Sequence, residues 1–329
     1  MTTLLLVLAP ALLAAEPAEA PQVKTTGIVF ARYGYDLTEG ADGANAFGVD
    51  RAYVGVVADL DEHMATRITL DADKLKPVAF GEAGEATVDT KYRVFLKHAW
   101  LEWKDVGPGV KMRFGMIDTP WTGTYDTFVG IRYVTESFAK SSKVLETADL
   151  GVSAIGSHQG DQLSWHAALV NGEGYGKNGV DAGKAVQVRG TFDPLARTKK
   201  RGMPVSAFVS YAGNPTTETP VLTWAGAVGF KAPRLVAWGE VLGVQAGDNA
   251  SMGYSLTASP RLPRYGGLLV RYDHFDADST ADGGATDMVI AGVTHDWREK
   301  VSTAVTYERT TPEGGDPAHG VVVHLQAGY

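Results

Sequence analysis

Five arginines stand out because each falls on the polar phase of an alternating stretch: Arg51, Arg67, Arg113, Arg189 and Arg271. A guanidinium is a planar, permanently charged fork that matches carboxylate or phosphate with paired hydrogen bonds. Gathered at one level, such groups would attract and orient anions. A second set begins with Asp118 in Arg113-Phe114-Gly115-Met116-Ile117-Asp118-Thr119-Pro120-Trp121 and continues into the passage after it, where Asp126, Glu136 and Glu146 face Arg132, Lys140 and Lys143. Acids and bases mixed in this way can set a field across an opening. The alternative is that the arginines pair with Asp71, Asp149, Glu240 or Glu308 and only stiffen a wall.

Other chemistry lacks its constellation. Gly172-Glu173-Gly174-Tyr175-Gly176 follows an extended run but opens no helix, so turn chemistry explains it better than a phosphate cradle. Asp273, Asp276 and Asp278 read as a solvated acidic loop rather than a hard-cation site. Ser157 and His158 are neighbours on opposite faces of a strand, which prevents a nucleophile and base pair. The eight histidines show no metal-ligand spacing, and the absence of cysteine excludes thiolate metal sites, thiol nucleophiles and disulfides. No reaction, metal or cofactor is expected.

The elements that must position the arginines are strands. In Phe47–Leu60, Ala52, Val54, Val56 and Ala58 alternate with Arg51, Tyr53, Gly55 and Asp59; in His63–Asp73, Met64, Ile68 and Leu70 alternate with Arg67, Thr69 and Asp71. The pattern recurs over about 16 segments of roughly 8 to 13 residues, the length that crosses a bilayer on a tilt. Short and long connections largely alternate. One segment, Lys91–Trp103, has apolar residues on both parities, so its faces stay unassigned. The last run puts Val321, Val323, Leu325, Ala327 and Tyr329 on one face, and Tyr33, Tyr35, Trp165, Trp224, Tyr272, Trp297 and Tyr307 fall on the same apolar side as an interfacial belt would.

The expected fold is therefore all-β, a transmembrane antiparallel β-barrel of about 16 strands. Its third loop, Thr122–Val144 and more than twenty residues long, is expected to fold into the lumen, because loops of that length usually carry function. Residues 1–20 read as a signal peptide, an apolar run from Leu4 too short to span a membrane, cut after Ala15 or Ala20. Residues 21–329 form the barrel. Losing Glu16 and Glu19 would take the formal net charge from −8 to −6, which argues against nucleic acid as a partner. The expected surroundings are outer-membrane lipid and lipopolysaccharide, and the expected function is diffusion of small hydrophilic solutes or anions through a bacterial outer-membrane channel. A β-sandwich adhesin or other non-channel structural protein is the alternative from another class.

Several motifs carry a resemblance. Asp50-Arg51-Ala52-Tyr53-Val54 precedes Arg67-Ile68-Thr69-Leu70-Asp71, followed by Ala99-Trp100-Leu101-Glu102-Trp103, then Phe114 to Trp121, Ala148-Asp149-Leu150-Gly151-Val152 and Asn171-Gly172-Glu173-Gly174-Tyr175. In order and spacing they resemble the phosphate-selective porin O and P family over roughly residues 47–176. The resemblance implies a 16-stranded barrel, usually a homotrimer, with an inward third loop. It also implies phosphate or polyphosphate selectivity from an arginine ladder, to which Arg51, Arg67 and Arg113 would correspond. The family's lysine-rich constriction has no counterpart, since the long loop here is not lysine-rich.

Overall fold

The computed structural model describes residues 21–74, 92–176, 182–196, 201–214, 217–262, 266–281 and 283–329. The signal-peptide expectation for residues 1–20 lies outside the described residues. The first five strands are β1 (Gln22–Asp36), β2 (Asn45–Asp59), β3 (Met64–Lys74), β4 (Tyr92–Gly107) and β5 (Val110–Asp118). The long loop then carries two short helices, α1 (Thr122–Val129) and α2 (Phe138–Ser141). There follow β6 (Ala148–His158), β7 (Leu163–Val170), β8 (Lys184–Phe192), β9 (Val205–Asn214), β10 (Thr217–Ala232) and β11 (Leu235–Ala246). The chain finishes with β12 (Asn249–Leu262), β13 (Gly266–Asp276), β14 (Ala285–Arg298), β15 (Val301–Pro312) and β16 (Ala318–Gly328).

Each strand pairs antiparallel with its chain neighbours, and β1 pairs with β16 from Ile28 opposite Gly328 to Asp36 opposite Gly320, so the sheet closes. Closure is what a lipid surround demands, because each unpaired backbone group in hydrocarbon costs several kcal/mol. It also rules out the sandwich alternative. Val54, Ile68, Phe114, Leu169, Leu256, Val270 and Val323 are exposed on the outer wall, while Thr69, Asp71, Ser153, Thr257, Arg271 and Thr306 on the other face are buried. Apolar outside and polar inside inverts the soluble arrangement and defines a membrane barrel.

The unassigned strand has a local cause. Between β3 and β4, Thr69 pairs with His98 but Leu70 pairs with Leu96, so Lys97 is an extra residue in a β-bulge. Tyr92, Val94 and Leu96 point outward before it, whereas His98, Trp100 and Glu102 are buried after it. The phase of alternation flips at Lys97, which is itself buried.

The interior is not uniformly wet. Phe208 on β9, Ala225 and Ala227 on β10, Val236, Trp238 and Leu242 on β11, Leu269 on β13 and Ile290 on β14 face inward. There they pack against Trp121, Tyr125, Val129, Ile131, Phe138, Ala139 and Leu145 of the loop. Fully burying a large apolar side chain is worth about 1.5–3 kcal/mol, so this seam holds the loop to one side of the barrel. Charged residues line the opposite side.

Candidate functional site: the luminal constriction

The long loop starts where β5 ends, at Asp118, and crosses the lumen. Neither helix is long enough to be stable alone. α1 buries Thr122, Tyr125 and Val129 and ends at Gly130 in a left-handed conformation (φ 78°), whose N–H donates to the Asp126 carbonyl. Polar anchors accompany the apolar seam. The Trp121 indole N–H donates to Glu240 Oε1 (2.7 Å), and Trp238 donates to Glu240 Oε2 (3.1 Å). Lys231 Nζ donates to the Phe128 carbonyl (2.8 Å), and Arg189 Nη1 to Thr124 Oγ1 (2.8 Å). At its far reach, Tyr133 packs with Phe30 of β1 and Ala304 of β15.

On the other side the loop meets the inner faces of β1 to β5. There a cavity of about 260 Å³ is lined by Arg67, Lys97, His98, Asp118, Asp126 and Arg132, with threonines filling much of the remainder. Most charges around it are paired. Arg51 bonds Asp71 (3.2 Å) and Glu136 (3.3 Å); Arg132 bonds Glu136 (2.7 Å) and Asp126 (3.3 Å); Arg113 bonds Glu102 (2.6 Å) and Asp118 (2.9 Å). His98 Nε2 lies 2.9 Å from Asp118, Lys111 lies 3.2 Å from Glu102, and Lys97 donates to the Tyr53 hydroxyl (2.9 Å). Arg67 differs. Its Nε donates to Thr69 Oγ1 (2.9 Å), and no ion pair joins it to a carboxylate among the described residues.

Two loop acids respond differently to this surround. Burial pushes the Asp126 carboxyl up to about 6, against the opposing pull of Arg132 and Lys97. Burial also works against ionisation of Glu136, but Arg132, Arg51 and Lys140 outweigh it and hold that group below its ordinary value.

The structure thus brings Arg67, Asp118, Asp126 and Arg132 to one cavity, with Arg51, Glu136 and Arg113 one ion pair behind. Of the four carboxylates expected as alternative partners for the arginines, Asp71 pairs with Arg51. Glu240 instead binds two indoles, Asp149 accepts from the backbone N–H groups of Leu150 and Gly172, and Glu308 accepts from Thr306 Oγ1 (3.0 Å) and lies 3.1 Å from His324 Nε2. Arg189 turns to α1. Arg271, expected at the pore waist, is fully enclosed beneath the loop and presents no face to the lumen; Asp273 of its own strand and the loop residues seated over it take its donors. Lys140 pairs with Glu146 within the loop (2.6 Å), and Lys143 is exposed in a left-handed turn (φ 61°). Lys97, His98 and Glu102 were not anticipated, because the bulge in β4 hides their face. Apolar residues on both parities of one strand are the trace such a bulge leaves.

No family model matches the chain, and no curated protein matches it either. Solved structures do share its fold. OmpF of Salmonella typhi, in complex with daunomycin, has a TM-score of 0.66 at 11% identity over 93% of this chain and 97% of its own. The anion-selective porin from Comamonas acidovorans gives 0.65 at 13% identity, covering 94% of this chain and 100% of its own. The outer membrane channel DcaP of Acinetobacter baumannii gives 0.63 at 11% identity, covering 94% and 98%. The chain therefore has the fold of an outer-membrane porin.

Proposed function

We propose that this barrel is a passive channel of the bacterial outer membrane, through which small hydrophilic solutes and ions diffuse, with a mild preference for anions. The observation that carries it is the loop seated across the lumen, leaving a charged cavity against β1 to β5. A barrel of this strand number is too wide for wall side chains to fill, so the loop decides the aperture. Around the cavity the cations Arg51, Arg67, Lys97, Arg113, Arg132 and Lys111 outnumber Asp71, Glu102, Asp118, Asp126 and Glu136. The carboxylates already have cationic partners, whereas Arg67 lines the cavity with no carboxylate in ion-pair contact among the described residues.

Reversal potentials across a planar bilayer in a potassium chloride gradient test this. Chloride should permeate better than potassium, and Arg67→Gln should move the two toward equality. Equal permeability in the unmodified protein would discard the anion preference.

Phosphate or polyphosphate selectivity, which the family resemblance implies, would need several free cations in sequence. Arg51 and Arg113 are each held by two carboxylates and Lys140 by one, so phosphate is expected to pass as one anion among others. The resemblance also supports a homotrimer in outer-membrane lipid and lipopolysaccharide. An unboiled species near three times the 35.0 kDa chain mass on a denaturing gel is the expected outcome, and migration as a folded monomer would remove it.

A further inference from the structure

Arg271 is the largest fully buried side chain in the described residues, yet it is an arginine. Its N–H groups are distributed between one wall residue and three parts of the loop. Nε donates to Asp273 Oδ1 (2.8 Å), and Nη2 to Asp273 Oδ2 (2.6 Å) and Ser141 Oγ (3.4 Å). Nη1 donates to the Glu136 carbonyl (2.6 Å), Thr135 Oγ1 (3.2 Å) and the Tyr125 hydroxyl (3.3 Å). The guanidinium carbon also lies 5.3 Å from the centroid of the Tyr125 ring. Asp273, two residues along the same face of β13, supplies the countercharge that makes burial tolerable.

The shortest of the bonds to the loop is made to the backbone of Glu136. The side chain of that residue leaves in another direction, where Oε1 accepts from Arg132 (2.7 Å) and from Arg51 on β2 (3.3 Å). A wall residue on β13 therefore fixes the acid that neutralises two arginines beside the cavity. We propose that Arg271 is a positioning residue of the constriction. By clamping Tyr125, Thr135, Glu136 and Ser141 it holds the Glu136 carboxylate against Arg51 and Arg132, and so tunes the charge an ion meets without touching the ion. This role rests on the channel function proposed above. A lysine would offer a single ammonium and could not span the same acceptors, because the fork geometry is what reaches α1, the 135–136 segment and α2 together.

The test uses the full protein in planar bilayers, with hydrogen exchange over residues 131–141 in detergent alongside. R271M, R271K, E136Q and the double variant R271M/E136Q are compared with the unmodified chain. Removing or releasing the Glu136 carboxylate takes one negative charge from beside Arg51 and Arg132, so R271M and E136Q should both shift the reversal potential toward chloride. Adding E136Q to R271M should shift it no further, R271M should raise open-channel noise, and R271K should lie between. Full additivity of the two shifts, or an R271M channel like the unmodified one, overturns the proposal while leaving the channel function intact. If R271M fails to fold, the double variant Tyr125→Phe with Thr135→Val removes acceptors without burying a charge, and must raise noise and exchange across 131–141; unchanged values overturn the proposal. If the unmodified protein does not conduct, the channel function fails. Arg271 is then judged by exchange alone, with lost protection in R271M supporting the clamp and unchanged protection overturning it.

Discussion

Asp126 lines the cavity beside Arg132 with its carboxyl raised to about 6 by burial, so its charge changes within an ordinary experimental range. An acid is neutral below its pKa and charged above it. As pH falls from about 7.5 to 5, the site loses a negative charge and the reversal potential should move toward chloride. Arg132, Lys97, Glu136 and Arg271 are the charges that act on Asp126, and His98 and Asp118 line the same cavity. An Asp126→Asn variant separates its contribution from theirs: it should hold the acid-side value throughout and show a flatter pH profile. A profile as steep as that of the unmodified channel would assign the titration to another group. Arg271 shows how far residue type alone carries. Its inward parity on β13 was legible from alternation with Val270 and Tyr272. That it lies under the loop was not, because parity says which face a side chain takes and nothing about what covers that face.

At the scale of the element, strand alternation translated directly into faces wherever pairing was regular. The aromatic residues expected on the outer wall are not buried, with Trp165 lying over Gly156 and Trp224 over Gly243 on the facing strand, where a Cβ would strike the rings. β4 broke the rule because one inserted residue, Lys97, turns the phase within the strand. The loop's seat left a second signal. Large apolar side chains at inward positions, such as Phe208, Trp238, Leu242, Leu269 and Ile290, have no place in a water-filled barrel unless something dry lies on them. A charge placed on the opposite, lipid-facing side should be costly. Leu256, midway along β12 and 57% exposed, is such a position. Leu256→Arg should lower stability by about 2–4 kcal/mol if it lies near the bilayer midplane. Urea unfolding in lipid vesicles measures it, and a change within error would mean that this face does not meet hydrocarbon.

For the whole molecule, two demands are met by different parts. Closure of β1 on β16 satisfies the backbone in lipid, and an exterior of valine, leucine and aromatic rings satisfies the bilayer. The interior is divided, with an apolar half that seats the loop and a charged half that faces it. The barrel, its strand number and the inward loop were legible from sequence because they follow from a two-residue period and from loop length. The division of the lumen was not, since it depends on contacts between the loop and strands as distant in the chain as β9 and β14. The claim that a water-filled path survives this packing is tested most directly by single-channel recording of the purified protein in planar bilayers. Discrete conductance steps that grow in proportion to bulk salt conductivity are expected. A barrel that is demonstrably folded, migrating differently before and after boiling, yet gives no steps above the bare bilayer would contradict it.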